Sequence, residues 1–126
     1  MPGLRDGRLA DCPRSPNCVS SEAQGRVHGI EPFTLAAPAE EAWQAAGEVL
    51  AELPGTRVVT RQADYLHVEC RTPWLRFTDD LELQLRAEEG VMAVRSASRL
   101  GYSDLGANRA RVEALRAALR ERGVVR

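Results

Sequence analysis

Leu75-Arg76-Phe77-Thr78-Asp79-Asp80-Leu81-Glu82-Leu83-Gln84-Leu85-Arg86 is the stretch on which the fold turns. Leu75, Phe77, Asp79, Leu81, Leu83 and Leu85 fall on every second position, so they share one face of an extended chain. That period of two predicts a half-buried strand over residues 75–86. Residues 64–73, just upstream, alternate in the same way. Leu66, Val68, Cys70 and Thr72 face one side, and Tyr65, His67, Glu69 and Arg71 face the other. Downstream, Glu88-Glu89-Gly90 turns the chain into a third extended segment over residues 91–99. These connections are too short for a parallel crossover, so the sheet is expected to be antiparallel.

Helical signals flank the strands. Pro38 stands where helices favour proline, and Glu40 and Glu41 suit the positive end of a helix beginning there. Trp43, Ala46, Leu50 and Leu53 keep the 3.6-residue period of a buried face, and Pro54-Gly55 stops the helix. Residues 30–36 read as a first strand that Pro32 confines to an edge, and residues 56–61 as a short extended piece. Past the loop 101–106, Ser103 or Asp104 can cap a second helix with Asn108, Val112, Leu115 and Leu119 on its buried face. Gly123 ends it. The order strand, helix, strands, helix predicts an α+β fold: a single antiparallel β-sheet with two main helices packed on one face. A sheet curled around the last helix is a variant of the same reading. Residues 1–29 are rich in Pro, Gly, Ser and charge and read as a loop or ordered tail. The remaining residues 30–126 read as one α+β domain.

The chain has 126 residues, enough for one domain with a sizeable core. Hydrophobic residues make up 44% and charged residues 28%, a globular balance. A net charge of −1 offers no field to draw in nucleic acid or an anionic membrane. Trp74 and Phe77 beside Arg71 and Arg76 do not overturn that. All 17 basic residues are Arg. A lysine Schiff base is therefore excluded, and side-chain anion contacts must come from Arg, His or neutral donors. No apolar run is long enough to span a membrane, and the first residues lack the apolar core of a signal peptide. As the sequence stands, this predicts a cytoplasmic, soluble protein, or an exported one where a leader has been removed. No dinucleotide fingerprint, P-loop or metal-ligand pair is present, so no cofactor and no metal are expected.

Polar residues at core-facing positions mark the candidate site. Asp79 lies on the apolar face of its strand, where a carboxylate needs an Arg partner, a hydrogen bond or a proton. It is either a structural partner of an Arg or a functional acid. Arg95, Ala97 and Arg99 share one face of the last strand, and Ser96 and Ser98 the other. Two arginines so spaced can converge on one anion. Asn108, with Arg109 beside it, sits at a helix start, which offers free N–H groups. A capping and loop-fixing role competes with that reading. His28 and His67 are isolated, and an outward histidine on a strand is ordinarily a surface residue. Cys70 reads as a small core residue. Cys12-Pro13-Arg14-Ser15-Pro16-Asn17-Cys18 holds two close thiols, for which free thiols, a disulfide, and metal or redox use all remain open.

Three stretches carry a resemblance. They are Cys12-Pro13-x-Ser15-Pro16-Asn17-Cys18-Val19-Ser20-Ser21, Phe77-x-Asp79-Asp80, and the long closing motif from Arg95 through Arg99, Gly101–Gly106, Asn108-Arg109 and Arg111-Val112. Together they resemble the family catalogued as domain of unknown function 1499, over roughly residues 11–120. The resemblance implies small bacterial and plastid proteins, many exported or membrane-anchored, and implies no activity.

Three functions follow as expectations. The first is a binding domain for a small polar or anionic molecule. In it Arg95 and Arg99 clamp the anion, with help from Ser96, Ser98, Asn108 and Arg109. The second is a cofactor-independent enzyme with Asp79 as acid or base and Tyr102 as proton donor. The third is an accessory or assembly protein whose motifs only brace the fold. Nothing in the sequence sets the oligomeric state.

Overall fold

A computed structural model describes residues 2–72 and 77–126. Pro73 and Leu75, expected at strand ends, and Trp74 and Arg76 lie outside the described residues. Along the described chain run β1 (Leu4–Arg5), β2 (Arg8–Leu9), β3 (Cys18–Ser20), α1 (Gly25–His28), β4 (Phe33–Thr34), α2 (Ala39–Glu52), β5 (Thr56–Arg61), β6 (Tyr65–Arg71), β7 (Thr78–Arg86), β8 (Val91–Ser98) and α3 (Ala107–Glu121). A short 3-10 turn, Ala87–Glu89, joins β7 to β8 and ends on Gly90 in the left-handed conformation (φ 70°).

The main sheet has the order β3-β8-β7-β6-β5, with β4 also paired to β8, and the pairings between its strands are antiparallel. The β6–β7–β8 core of the sheet and the two main helices follow the sequence expectation. The register sets the faces: Asp79↔Ser98, Leu81↔Ser96, Leu83↔Val94 and Leu85↔Met92 pair across β7 and β8. Their side chains, with Leu66, Val68 and Cys70 of β6, turn to the helices. That core takes in Val49 and Leu50 of α2, and Val112, Leu115 and Leu119 of α3. α3 buries the face its periodicity predicts, with Arg116 added to it. The Arg116 guanidinium lies 4.7 Å from the Phe33 ring centre and donates to the carbonyls of Glu31 and Pro32.

α2 keeps Ala46 and Leu50 of the expected face and departs from it at Trp43 and Leu53. Ala42, Ala45, Ala46, Val49 and Leu50 are buried, whereas Trp43 is half-buried and Leu53 exposed. The Trp43 indole instead donates to the Gln62 carbonyl from the helix edge. Small residues let α2 approach α3 and the sheet closely, so the large side chains are displaced to the rim. The first strand expected over residues 30–36 shortens to β4, and Leu35 bridges to Val125 of the C-terminal tail.

The second face of the sheet is the larger correction. Residues 1–29, expected as loop or tail, contribute β3 to the sheet and the β1–β2 hairpin that lies over it. Asp6 and Gly7 form the hairpin turn with positive φ (53° and 75°), the geometry that Asp-Gly favours. Leu9 packs on Tyr65 and Ala93. The Gly3 amide donates to Glu82 (2.8 Å), and Gln84 donates to the Gly7 carbonyl (2.7 Å). Two-residue strands carry too little periodicity to be seen in sequence. They are required because Tyr65 and Ala93 make the second face partly apolar.

Candidate functional site

The sheet divides the expected site residues between its two sides. On the helix side lie Asp79, Ser96, Ser98 and Asn108, and β7, β8 and the first turn of α3 bring them together. The Asn108 amide is fully buried. Its Oδ1 accepts from Ser96 Oγ (2.6 Å) and an Arg111 Nη (2.8 Å). Its Nδ2 donates to Ser98 Oγ (2.9 Å), Asp104 Oδ2 (2.7 Å) and the Asn17 carbonyl (3.2 Å). Asp79, 2% exposed, receives the other Arg111 Nη at 2.7 Å. Gly106 is the N-cap of α3, and Asp104, two residues before it, accepts from the amides of Gly106 (2.8 Å) and Asn108 (3.0 Å). Burial raises its carboxyl, and these hydrogen bonds outweigh that, leaving it below the usual range.

This network braces the fold: its donors and acceptors serve one another. Asp79 is the partner of Arg111, and Asn108 is the pin between helix, strand and the segment carrying Asn17. The Asn17 side chain extends it by donating to the Gly101 carbonyl (2.6 Å), while the Ser98 amide donates to the Asn17 carbonyl (3.0 Å). Asn17 sits in the ring closed by the Cys12–Cys18 disulfide. Replacing both cysteines by serine frees a loop six residues long in separation. The expected cost is about 2 kcal/mol of unfolding free energy from loop entropy, read as a lower urea midpoint with unchanged slope. Cys70, the free cysteine, is buried as expected, and burial pushes its thiol up.

Two expected residues stand apart. Tyr102 is 73% exposed, and Arg109 donates to the carbonyls of Arg26 and Val27, tying α3 to α1. Neither is brought to Arg95 or Arg99.

Arg95 and Arg99 are on the opposite side of the sheet. The register sets two rows there: His67↔Glu82↔Arg95, and Glu69↔Asp80↔Ala97. Above them the Asp11-Cys12-Pro13 segment forms a wall, leaving an open groove of about 900 Å³ lined also by His67, Asp80, Arg95 and Arg99. His67 is buried, not on the surface as expected, and its Nε2 meets Asp80 Oδ1 at 2.7 Å. Arg99 forks onto Asp80, with Nε to Oδ2 and an Nη to Oδ1 both at 2.8 Å, and reaches Glu69 at 2.5 Å. Burial alone would raise the Asp80 carboxyl, but the hydrogen bonds from Arg99 and His67 prevail and hold it below the usual range. Glu82, fully buried, accepts from Tyr65 Oη (2.5 Å) and the Gly3 amide. Burial, and after it the hydrogen bond to Glu82, drive the Tyr65 phenol far above its usual range.

Arg95 itself is 5% exposed. One Nη reaches Glu82 at a long 3.4 Å, and another donates to the Asp11 carbonyl at 3.2 Å. Its Nε is sealed from solvent and has no hydrogen-bond partner, the only such side-chain atom among the described residues. A buried N–H left unpaired costs about 1–3 kcal/mol.

A family model described as protein of unknown function (DUF1499) matches residues 8–119. The chain belongs to this family. No curated protein and no solved structure matches it. Membership in DUF1499 spans both polar assemblies, the Cys12–Cys18 ring and the hairpin strand β2. Among the described residues no group of His, Cys, Asp and Glu has the arrangement of a metal site, and no helix is long and apolar enough to cross a membrane.

Sequence reasoning missed Glu82, Asp80, His67 and Arg111 as members of these assemblies. The signal was present for the first three. A face carrying Tyr65, Ala93 and Ala97 beside acids and a histidine is too apolar to be a plain solvent face.

Proposed function

We propose that this DUF1499 chain binds a small molecule bearing an anionic or hydrogen-bond-accepting group in the groove on the hairpin side of its sheet. The observation that carries the reading is the buried Arg95 guanidinium, which lines the groove and meets its counter-charge Glu82 only at 3.4 Å. A buried cation so loosely paired suits a further acceptor in the groove it lines. Arg95 is the ligand donor in this reading. Arg99 is already engaged by Asp80 and Glu69, so it shapes the wall and does not clamp the anion. Ser96, Ser98, Asn108 and Asp79 leave the ligand set, because the sheet turns them to the helices and they are bonded there. Asp79 as a catalytic acid or base finds no support, being held by Arg111 with Tyr102 exposed elsewhere.

Acetate and phosphate are suitable probes of the groove. Addition of either is expected to shift the Arg95 Nε–H resonance, which is assigned by its loss in Arg95→Gln. The Cys12–Cys18 ring at the groove wall supports an oxidising compartment over the cytoplasm.

An accessory role through a surface is the second reading. Phe77, Leu100 and Leu105, all exposed, gather around an apolar hollow of about 310 Å³ beside Asp104.

A further inference from the structure

The groove that Arg95 lines holds about 900 Å³, within the range of pockets that take a small organic molecule. Most of its polar floor is bonded inside the protein. His67 Nε2 meets Asp80 Oδ1, Arg99 donates to both Asp80 oxygens, and Arg57 and Arg99 donate to the two Glu69 oxygens. Arg95 is the exception at one end. Its guanidinium lies 3.4 Å from Glu82 and 3.2 Å from the Asp11 carbonyl. A well-made charge-assisted bond is nearer to about 2.8 Å.

The other end of the groove is apolar, and a β-bulge makes it so. Across β5 and β6, Val58 pairs with Val68 and Thr60 with His67, so Val59 is an extra residue without a partner of its own. A bulge sets two residues opposite one and re-aims their side chains. Here Val59 lines the groove and is 42% exposed. Val58, one residue earlier, shares the helix side with its partner Val68, which is part of the main core. Pro2 and Pro13 also line the groove, with Ala97 on its floor.

The register fixes how the two ends are related. Arg95 pairs with Glu82, Glu82 with His67, and His67 with Thr60, the neighbour of Val59 in the bulge. Arg95 and Val59 stand at the two ends of one cross-strand row. Three strand spacings separate them, about 14 Å at the backbone.

The geometry points to a ligand with two unlike ends: a single anionic head at Arg95 and an apolar chain that runs across the sheet to Val59. A medium-chain carboxylate has this form. The inference rests on the binding reading above and names the class of molecule bound. A compact anion such as phosphate fills only the Arg95 end. A sugar or nucleoside brings many donors and acceptors to a floor whose carboxylates are already bonded, and lays a polar surface on Val59, at a desolvation cost without return. An apolar chain instead covers Val59, Pro2 and Pro13, and each fully buried methylene raises affinity by about fourfold.

The test compares sodium acetate, sodium octanoate and octanol on the full chain, read by the Arg95 Nε–H resonance and by titration calorimetry. Octanoate is expected to bind at least about thirtyfold more tightly than acetate, the open groove burying its chain only in part. Octanol, which has the chain without the charge, is expected to bind at least about tenfold more weakly than octanoate. Val59→Asn is expected to weaken octanoate by about fivefold or more and to leave acetate unchanged. Val58→Asn, on the other side of the sheet, is expected to leave both unchanged. With the acetate response intact, three results each overturn the inference and leave the binding reading standing: octanoate no tighter than acetate, octanol as tight as octanoate, or octanoate affinity indifferent to Val59→Asn. An Arg95 signal indifferent to both acetate and octanoate overturns both. Should Val59→Asn unfold, nuclear Overhauser contacts in the wild type decide the matter. Contacts from the octanoate chain to the Val59 methyls are expected, and contacts instead to Phe77 and Leu105, at the hollow beside Asp104, overturn the inference.

Discussion

Asn108→Ala is expected to lower the unfolding free energy by about 3–4 kcal/mol, among the largest effects of any single substitution outside the apolar core. The side chain is fully buried and forms five hydrogen bonds, two received at Oδ1 and three donated from Nδ2. Alanine removes all five while Ser96 and Ser98 stay in place. Ser96 Oγ then keeps only a 3.4 Å approach from Arg111. Each buried group stripped of its partner costs more than the lost bond is worth, because desolvation is no longer offset. Urea unfolding followed by circular dichroism measures the midpoint. A structural brace also makes a negative prediction: the folded variant retains the acetate response at Arg95, on the far side of the sheet. A loss of less than about 1 kcal/mol would contradict the bracing role.

Glu82→Ala is the second large effect, expected at about 3–5 kcal/mol. Glu82 is the counter-charge of Arg95 and the acceptor for Tyr65 Oη and the Gly3 amide. Removing it leaves a guanidinium buried without an anion, which is the costly way to break a buried pair. It also releases the β1–β2 hairpin, since the Gly3 amide is one of its few ties to the sheet. Glu82→Gln keeps the shape and one acceptor and is expected to lose less. Paired thermal unfolding of the two variants gives the order. Equal losses would mean that charge, and not shape, is what Arg95 requires.

Much of the fold was legible because one mechanism dominates the central strands. Leu81, Leu83 and Leu85 alternate with Asp80, Glu82 and Gln84, and a period of two admits one pairing face. The helix face of α3 was equally plain in Val112, Leu115 and Leu119. On α2, Ala46 and Leu50 were legible, but the burial of Ala42 and Ala45 leaves no strong pattern in hydrophobicity, and the conspicuous Trp43 lies at the rim. The site was legible in part. Asp79, Ser96, Ser98 and Asn108 break the core pattern, and that marks them as a network without saying what the network does. The groove was hidden for a topological reason. Its wall comes from residues more than 50 positions before its floor in the chain, and the pairing of Cys18 with Ala97 that brings them together leaves no local trace. Residues 95–99 then alternate between the two sides of the sheet, so neighbours in sequence serve different assemblies.

The most direct measurement follows the arginine Nε–H resonances of nitrogen-15-labelled protein during titration with sodium acetate and sodium phosphate, using Arg95→Gln to assign the Arg95 signal. The account predicts a saturable shift of that signal, slowed exchange of its proton with water, and little movement of Arg111 or Arg109. An Arg95 signal indifferent to both anions, or a response carried instead by Arg111 and Arg109 on the helix side, would contradict it.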